Sequence, residues 1–162
     1  MSNLIRIRYR DGQVGMLTRN HFTEADWNVN NRWLFRDLTR SLAGGRPFEF
    51  RVRIDRAAFF RRQGIDRPMA VQVWPEVAIP RATVAAAESR LAGGDVIEFV
   101  GGTAAAPYVG HMGLLERDGQ GRVWLIHSGS PRVARLRLGE YLAAHPKWLA
   151  VKVLRVPGGG GG

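Results

Sequence analysis

The chain has 162 residues, 45% of them hydrophobic, and no cysteine. This size allows one domain with a substantial core, and the lack of cysteine excludes disulfides, thiolate metal sites and a thiol nucleophile within these residues. The formal net charge of +10 favours an anionic partner, but only two of the 24 basic residues are lysine and the arginines are spread along the chain. No apolar run approaches the ~18 to 20 residues of a membrane span, so none is predicted.

The first half of the sequence combines candidate strands with a polar segment. "LIRIRYR" (4–10) alternates apolar residues with arginine and predicts a strand that ends at the Asp-Gly turn at 11–12. Residues 18–45 hold an Asn-rich, Trp-bearing stretch and then helical spacing that two glycines end. "EFRVRI" (49–54) and "MAVQVW" (69–74) predict two more strands, and a proline ends the second.

The second half predicts a short helix followed by a sheet. "RATVAAAESRLAGG" (81–94) predicts an Ala-rich helix with Thr83 as its N-cap. The further candidates are strands at 95–100, 111–116, 123–128 and 133–138, a short helix at 138–145 and a last strand at 149–156. Short connections favour antiparallel neighbours, so the predicted class is α+β, with an antiparallel sheet of about five strands and helices packed on one side. We predict one domain over residues 1–156 and a flexible glycine tail at 157–162.

Two histidines lie in neighbouring strand candidates that a Gly-rich turn connects. If the turn is the three residues 118–120, His111 faces His127 across the strands, with Cβ atoms roughly 5 Å apart. A two-residue turn at 119–120 would send them to opposite faces, because a one-residue shift inverts a strand. Nearby glycines favour a ligand cleft. A facing pair is typical of a general base and the group that orients it, so His111 and His127 are the predicted catalytic residues.

Two alternative roles of the histidine pair stay open. A metal site would need further ligands, for example from His21 or His145, and no HxxxH-type helix spacing is present. We therefore predict no metal and no other cofactor. The two histidines could instead only satisfy hydrogen bonds inside the sheet. A serine nucleophile is not favoured, because neither Ser128 nor Ser130 lies in a GxSxG turn.

The Asn-rich segment at 19–31 carries further polar and aromatic side chains. An aromatic residue beside several amides suits a sugar or a peptide. The predicted substrate-binding residues are His21, Asp26, Trp27 and Asn31, together with Tyr108 in the run before the first strand histidine. The alternative is that Trp27 belongs to the core and that the asparagines form turns.

Motifs along nearly the whole chain resemble those of a known superfamily. "GGDVIEFVGG" (93–102), "VGHMGLLE" (109–116) and "VWLIHSGS" (123–130) are similar to runs of the papain-like, NlpC-type murein amidases and endopeptidases. The similarity is closer to an N-acetylmuramoyl-L-alanine amidase-like branch. That branch has counterparts of "IRYRDG" (7–12), of the "RNHF…ADW…NN" segment (19–31), of "IPR" (79–81) and of "VKVLRV" (151–156).

The resemblance implies a papain-like core and a Cys-His-polar triad that hydrolyses amide bonds in peptidoglycan. By position, His111 resembles the general base and His127 the third, orienting residue. The family's cysteine lies on a helix before the "IRYRDG" element, so the resemblance implies that this chain lacks that part. We therefore expect it to be inactive alone, with a separate N-terminal segment supplying the cysteine. Peptidoglycan or muropeptides are the expected partners and the bacterial cell envelope the expected location, although the chain starts without a signal peptide.

Two other functions stay open. A catalytically dead relative would keep the cleft and hold an anionic polymer such as cell-wall glycan. A basic nucleic-acid-binding domain would resemble the amidases only by chance. We do not expect the last of these, because no recognition helix, zinc finger or ribonucleoprotein aromatic motif accompanies the charge. The salt dependence of DNA binding distinguishes it from the others.

Overall fold

The structure is a computed structural model that describes residues 2–158. The chain divides into two compact units. The first unit is Met1–Trp33 with Arg51–Glu76, and the second is Leu34–Phe50 with Val77–Gly162. The single domain at 1–156 stays a prediction, and residues 159–162 of the predicted glycine tail lie outside the described residues.

All of the helices and most of the strands are short. They are α1 (Asn3–Arg8), α2 (Asn28–Asn30), β1 (Arg36–Asp37), α3 (Thr39–Leu42), β2 (Phe48–Ile54), α4 (Arg56–Arg61), β3 (Gln72–Pro80), α5 (Val84–Ala87), β4 (Val96–Thr103), β5 (Ala106–Arg117), β6 (Val123–Ser128), β7 (Val133–Arg137), α6 (Leu138–Ala144) and β8 (Ala150–Arg155). Single 3-10 turns lie at Arg10–Gly12, Arg81–Thr83 and Glu88–Arg90, and a π-helical turn lies at Thr23–Trp27.

The first unit begins with a helix where the sequence predicts a strand. The prediction of a strand at 4–10 is wrong, because α1 occupies most of that run. The hydroxyl of Ser2 accepts the N–H of Leu4 at 3.3 Å and caps this helix. Such a cap offsets the weak helix propensity of the isoleucines. Only Tyr9 keeps a strand-like contact, a single antiparallel bridge with Arg19.

The second predicted helix is broken into three turns. Residues 81–94 form a 3-10 turn, the four-residue α5 and another 3-10 turn. Thr83 occupies the N-cap position of α5 as predicted, but its side chain forms no capping hydrogen bond, because its hydroxyl donates instead to the carbonyl of Pro80 at 3.0 Å. Gly94 follows with φ +86°, a conformation that glycine adopts without strain.

The strands form an eight-stranded sheet in the order β2-β3-β8-β4-β5-β6-β7, with β1 pairing with β8 beside this path. The α+β class and the antiparallel sheet are confirmed, but the predicted count of about five strands is wrong. The strands predicted from residue 95 onward correspond to β4 to β8, and those predicted at 49–54 and 69–74 overlap β2 and β3. β1 has two residues, too few for a periodic pattern, and β3 runs through Pro75, where we expected it to end. Its pairing with β8 starts only at Ile79, so the missing N–H of Pro75 removes no hydrogen bond with that strand.

One face of the sheet carries the core of the second unit, with helices packed on that side. Ile97 and Phe99 of β4, Leu125 of β6 and Val153 of β8 are 0% exposed and belong to one apolar cluster. The helices contribute Leu42 from α3, Val84 and Ala87 from α5, and Leu138, Tyr141 and Leu142 from α6. The candidate site lies on this helix-covered face, because Phe99 is registered opposite His111.

Candidate active site

The loop that joins β5 to β6 has five residues, 118–122, because Arg117 pairs with Val123. The predicted three-residue loop is therefore wrong. Asp118 accounts for the longer loop: its carboxylate accepts the N–H groups of Gln120 at 3.0 Å and Arg122 at 2.9 Å, and the indole N–H of Trp124 at 2.9 Å. The hydrogen bond from Trp124 and those from Arg122 hold the pKa of Asp118 well below its usual range.

The longer loop shifts the strand pairing by two residues and keeps both histidines on one face. His127 is registered opposite Gly113 and not opposite His111. Since three and five are both odd, the facing of the side chains is unchanged, and His111 becomes the diagonal neighbour of His127. Nε2 of His111 lies 2.9 Å from Nδ1 of His127, and the ring planes are almost perpendicular at 87°.

Two glycines allow this close arrangement. A Cβ atom at Gly113 would lie 2.6 Å from Leu125 Cδ1 and 3.1 Å from Cβ of His127, so this position excludes a side chain. A Cβ at Gly110 would meet the rings of Tyr108 at 2.9 Å and Trp148 at 3.2 Å. At these two positions the space that a side chain would take is filled by neighbouring side chains of the protein itself. A ligand cleft beside the histidine pair stays a prediction.

Three aromatic side chains surround the histidine pair. Phe99 stacks near His111, with ring centroids 5.9 Å apart and planes at 29°. Trp148 is nearly parallel to His111 at 6.3 Å, and Tyr141 lies 4.9 Å from the ring of His127. These rings are at most 5% exposed, while the two imidazoles are half-buried. The pair therefore has one side fixed by aromatic packing and one side in contact with solvent.

Nothing in the sequence pattern assigned Tyr141 or Trp148 to the site, and His145 was named only as a further ligand of a metal site. His145 stacks on Tyr141 at 4.2 Å, and its Nδ1 lies 2.8 Å from the carbonyl of Tyr141. The only available signal was the spacing of Tyr141 and His145, four residues apart, which places both on one side of a helical turn. Their approach to His127 depends on how α6 packs on the sheet, which no local pattern specifies.

Four of the predicted substrate-binding residues lie in the first unit, where most of them pack against or hydrogen-bond to other residues of that unit. His21 packs against Phe59 at 4.7 Å, and its Nε2 bonds the carbonyl of Met16 at 2.8 Å. Asn31 is 0% exposed and donates to the carbonyls of Ile7 and Trp27. These contacts account for His21 and Asn31 without a ligand, and Trp27 directly precedes α2. Their role in binding stays a prediction.

Asp26 and Tyr108 are placed differently from those three. Asp26 accepts the backbone N–H groups of His21 and Phe22 at 3.2 Å each and forms an ion pair with Arg56, and it also lines a cavity of the first unit. Tyr108 is 52% exposed and is registered opposite Gly101, next to the rings around His111. It is the only predicted binding residue that belongs to the same unit as the histidine pair.

Two geometric findings apply to residues 2–158. Within this range no three histidine, aspartate or glutamate side chains are arranged to hold a metal ion. No helix in the same range is both long and apolar enough to cross a membrane.

A comparison with family models matches residues 1–147 to the AmiA-like family, which is described as N-acetylmuramoyl-L-alanine amidase-like. The chain belongs to this N-acetylmuramoyl-L-alanine amidase-like family. The match includes both strands that carry His111 and His127, and it confirms the amidase-like part of the resemblance. A comparison with curated protein sequences gives no match.

Solved structures share the fold of this amidase-like chain at low sequence identity. A protein from Legionella pneumophila has a TM-score of 0.77 at 18% identity, over 94% of this chain and 67% of that one. An N-acetylmuramoyl-L-alanine amidase from Bacteroides uniformis has a TM-score of 0.69 at 23% identity, over 95% of this chain and 71% of that one. A Bacteroides fragilis protein described as a candidate xylanase has a TM-score of 0.69 at 22% identity, over 95% of this chain and 74% of that one.

The electrostatic environment of the amidase-like chain keeps His111 neutral over a wider pH range than a free histidine. Burial lowers the pKa of His111 below its ordinary value of 6.5, and the neighbouring His127, Lys147 and His145 lower it further. A neutral imidazole is the form that accepts a proton, so this environment favours a base at neutral pH.

NMR titration of the C2 protons is expected to give a pKa for His111 below 6.5. In His127→Ala this pKa should rise, because a charge that opposes protonation is removed. Because folding lowers this pKa, the contribution of His111 to stability is present above pH 6.5 and is lost as the pH falls through the pKa of the folded state. A midpoint at or above 6.5 in the unmodified protein would contradict this description of the site.

Proposed function

We propose that this chain carries the histidine half of a peptidoglycan amide-hydrolysing site with a papain-like core. His111 is the general base for a cysteine thiol, and His127 orients the imidazole of His111. The observation that carries the proposal is the single hydrogen bond between Nε2 of His111 and Nδ1 of His127. Membership of the amidase-like family supports the reaction class, an amide bond in a cell-wall polymer.

The hydrogen bond determines which nitrogen of His111 is available for chemistry. If Nε2–H of His111 donates to Nδ1 of His127, then Nδ1 of His111 carries a lone pair. Nδ1 of His111 has no hydrogen-bond partner within residues 2–158. It is therefore the atom that accepts the thiol proton, while His127 fixes the tautomer and the direction of the ring.

The proposed reaction proceeds in two steps. The thiol proton moves to Nδ1 of His111 as sulfur attacks the carbonyl carbon of the amide, and the same proton then passes to the leaving amine as the C–N bond breaks. Water hydrolyses the resulting thioester with His111 again acting as base. Since none of the 162 residues is cysteine, any thiol that serves the site lies outside them.

A fusion tests this proposal. A family-type N-terminal segment with its cysteine is joined to the 162-residue chain, and muropeptide turnover is followed by liquid chromatography. We expect release of peptide from the sugar, blocked by iodoacetamide and absent from the matched cysteine-to-alanine segment. Turnover that survives both treatments would contradict a thiol mechanism. A fused protein that folds but shows no turnover would also contradict it.

A second candidate is a non-catalytic module that binds an anionic cell-wall polymer. The net charge of +10 together with the lack of a thiol in these residues favours it. The same fusion separates the two candidates, because a binding module would retain peptidoglycan in a pull-down assay with no turnover in either form.

A further inference from the structure

A cavity of about 610 Å³ lies entirely within the first unit. Arginines from four separate stretches line it: Arg10, Arg19, Arg56 and Arg67. Its volume is within the range of small-ligand sites, and the cavity is partly open to solvent. Four arginines beside a single acidic residue give the lining a net positive charge, which favours an anionic ligand.

The protein itself balances only part of this charge. Asp26 is the one acidic residue among those that line the cavity, and it is already paired with Arg56. Arg10 has only a distant, exposed contact with Asp11 at 4.0 Å, which contributes little in water. Arg19 and Arg67 form no ion pair in the part of the chain that the structure describes. Three guanidinium groups are therefore available to an anionic ligand.

The remaining lining provides features that a peptide uses. Asn20 and Asn30 also line the cavity, and their amide N–H groups donate to the carbonyls of Ile7 at 2.9 Å and Arg6 at 3.0 Å. Each amide also has an oxygen, which is the type of acceptor that a peptide N–H uses. Apolar side chains complete the surface: Leu17, Ala25, Val29, Phe60, Met69 and Trp74.

We propose that this cavity binds a short acidic peptide, with its carboxylates held by Arg10, Arg19 and Arg67. Guanidinium groups bind carboxylates in a paired, planar geometry, and amide oxygens satisfy backbone N–H groups that a nucleic acid does not have. A concave site of this volume also fits a few residues better than the regular phosphate backbone of a duplex. The proposal does not depend on the histidine pair or on the hydrolytic function.

Calorimetry on the full chain tests the proposal with a defined probe. The probe is the N-acetylated peptide Ala-Glu-Ala-Glu, compared with its uncharged counterpart Ala-Gln-Ala-Gln amide. We expect binding of the acidic peptide only, and about tenfold or more weaker binding by Arg19→Gln/Arg67→Gln, because each substitution removes a charged hydrogen bond. The matched control is Arg8→Gln/Arg32→Gln, which removes the same charge from exposed positions of the same unit outside the cavity. This control variant should bind the acidic peptide with an affinity within about twofold of that of the unmodified chain.

Several outcomes would overturn the proposal. They are equal binding of the uncharged peptide, equal losses in the two double variants, or no binding of the acidic peptide at millimolar concentration. Binding of an eight-nucleotide thymidine oligonucleotide is measured in the same way. If it binds more tightly than the peptide and the Arg19→Gln/Arg67→Gln variant weakens it selectively, the cavity is a nucleic-acid site instead. Circular dichroism of every variant verifies that the fold is retained.

Discussion

His111→Ala, in the fused protein that carries a cysteine segment, is expected to lower muropeptide turnover by about 10²- to 10⁴-fold, the usual contribution of a general base. His127→Ala should cost less, because the base itself remains and only its orientation and tautomer are lost. The difference follows from the hydrogen bond at 2.9 Å, in which His127 contacts only Nε2 of His111. Steady-state kcat and KM are the measurements, and the loss should lie in kcat.

Ser128→Ala is the matched control for these variants. Ser128 directly follows His127 in β6, and its side chain points to the opposite face because strand residues alternate. Its substitution should leave turnover unchanged. Equal losses for His111→Ala and Ser128→Ala would contradict the assigned roles, as would a larger loss for His127→Ala than for His111→Ala.

Phe99→Ala is expected to lower the free energy of unfolding by about 3 to 5 kcal/mol. Phe99 is 0% exposed, and its ring contacts Tyr141 at 4.8 Å and Trp148 at 5.7 Å beneath His111. Truncation leaves a cavity at the centre of the aromatic packing that fixes the histidine pair. Urea unfolding followed by circular dichroism measures the change.

Tyr108→Ala provides the comparison, since Tyr108 is an aromatic residue on the neighbouring strand that is 52% exposed. This substitution should lower the free energy of unfolding by less than about 1 kcal/mol. If Phe99→Ala were as mild as Tyr108→Ala, the packing described around His111 would be incorrect.

The facing of the two histidines could be predicted from the sequence, but their register could not. Any odd loop between β5 and β6 places His111 and His127 on one face, and the three-residue turn on which our prediction depends is odd. The choice between three and five residues depends on Asp118, whose carboxylate accepts hydrogen bonds from both sides of the loop. Such a network is a property of the folded loop and leaves no periodic signal.

The first half of the chain was harder to predict than the second. The regular strands after residue 95 follow clear apolar runs, so β4 to β8 could be located to within five residues at each end. In the run "LIRIRYR", alternation of period two extends over only seven residues, and Ser2 caps the helix that forms there instead of a strand. The pairing of β1 with β8 and the packing of Tyr141 near His127 depend on distant contacts, which sequence patterns do not contain.

Muropeptide turnover by the unaltered 162-residue chain tests the central claim most directly. The claim is that His111 and His127 act as base and orienting group for a thiol that these residues do not contain. We predict no product above the level of the His111→Ala variant, and product only when the cysteine segment is fused. Hydrolysis by the unaltered chain that His111→Ala abolishes would contradict the claim and assign the nucleophile to a serine or an activated water within the chain.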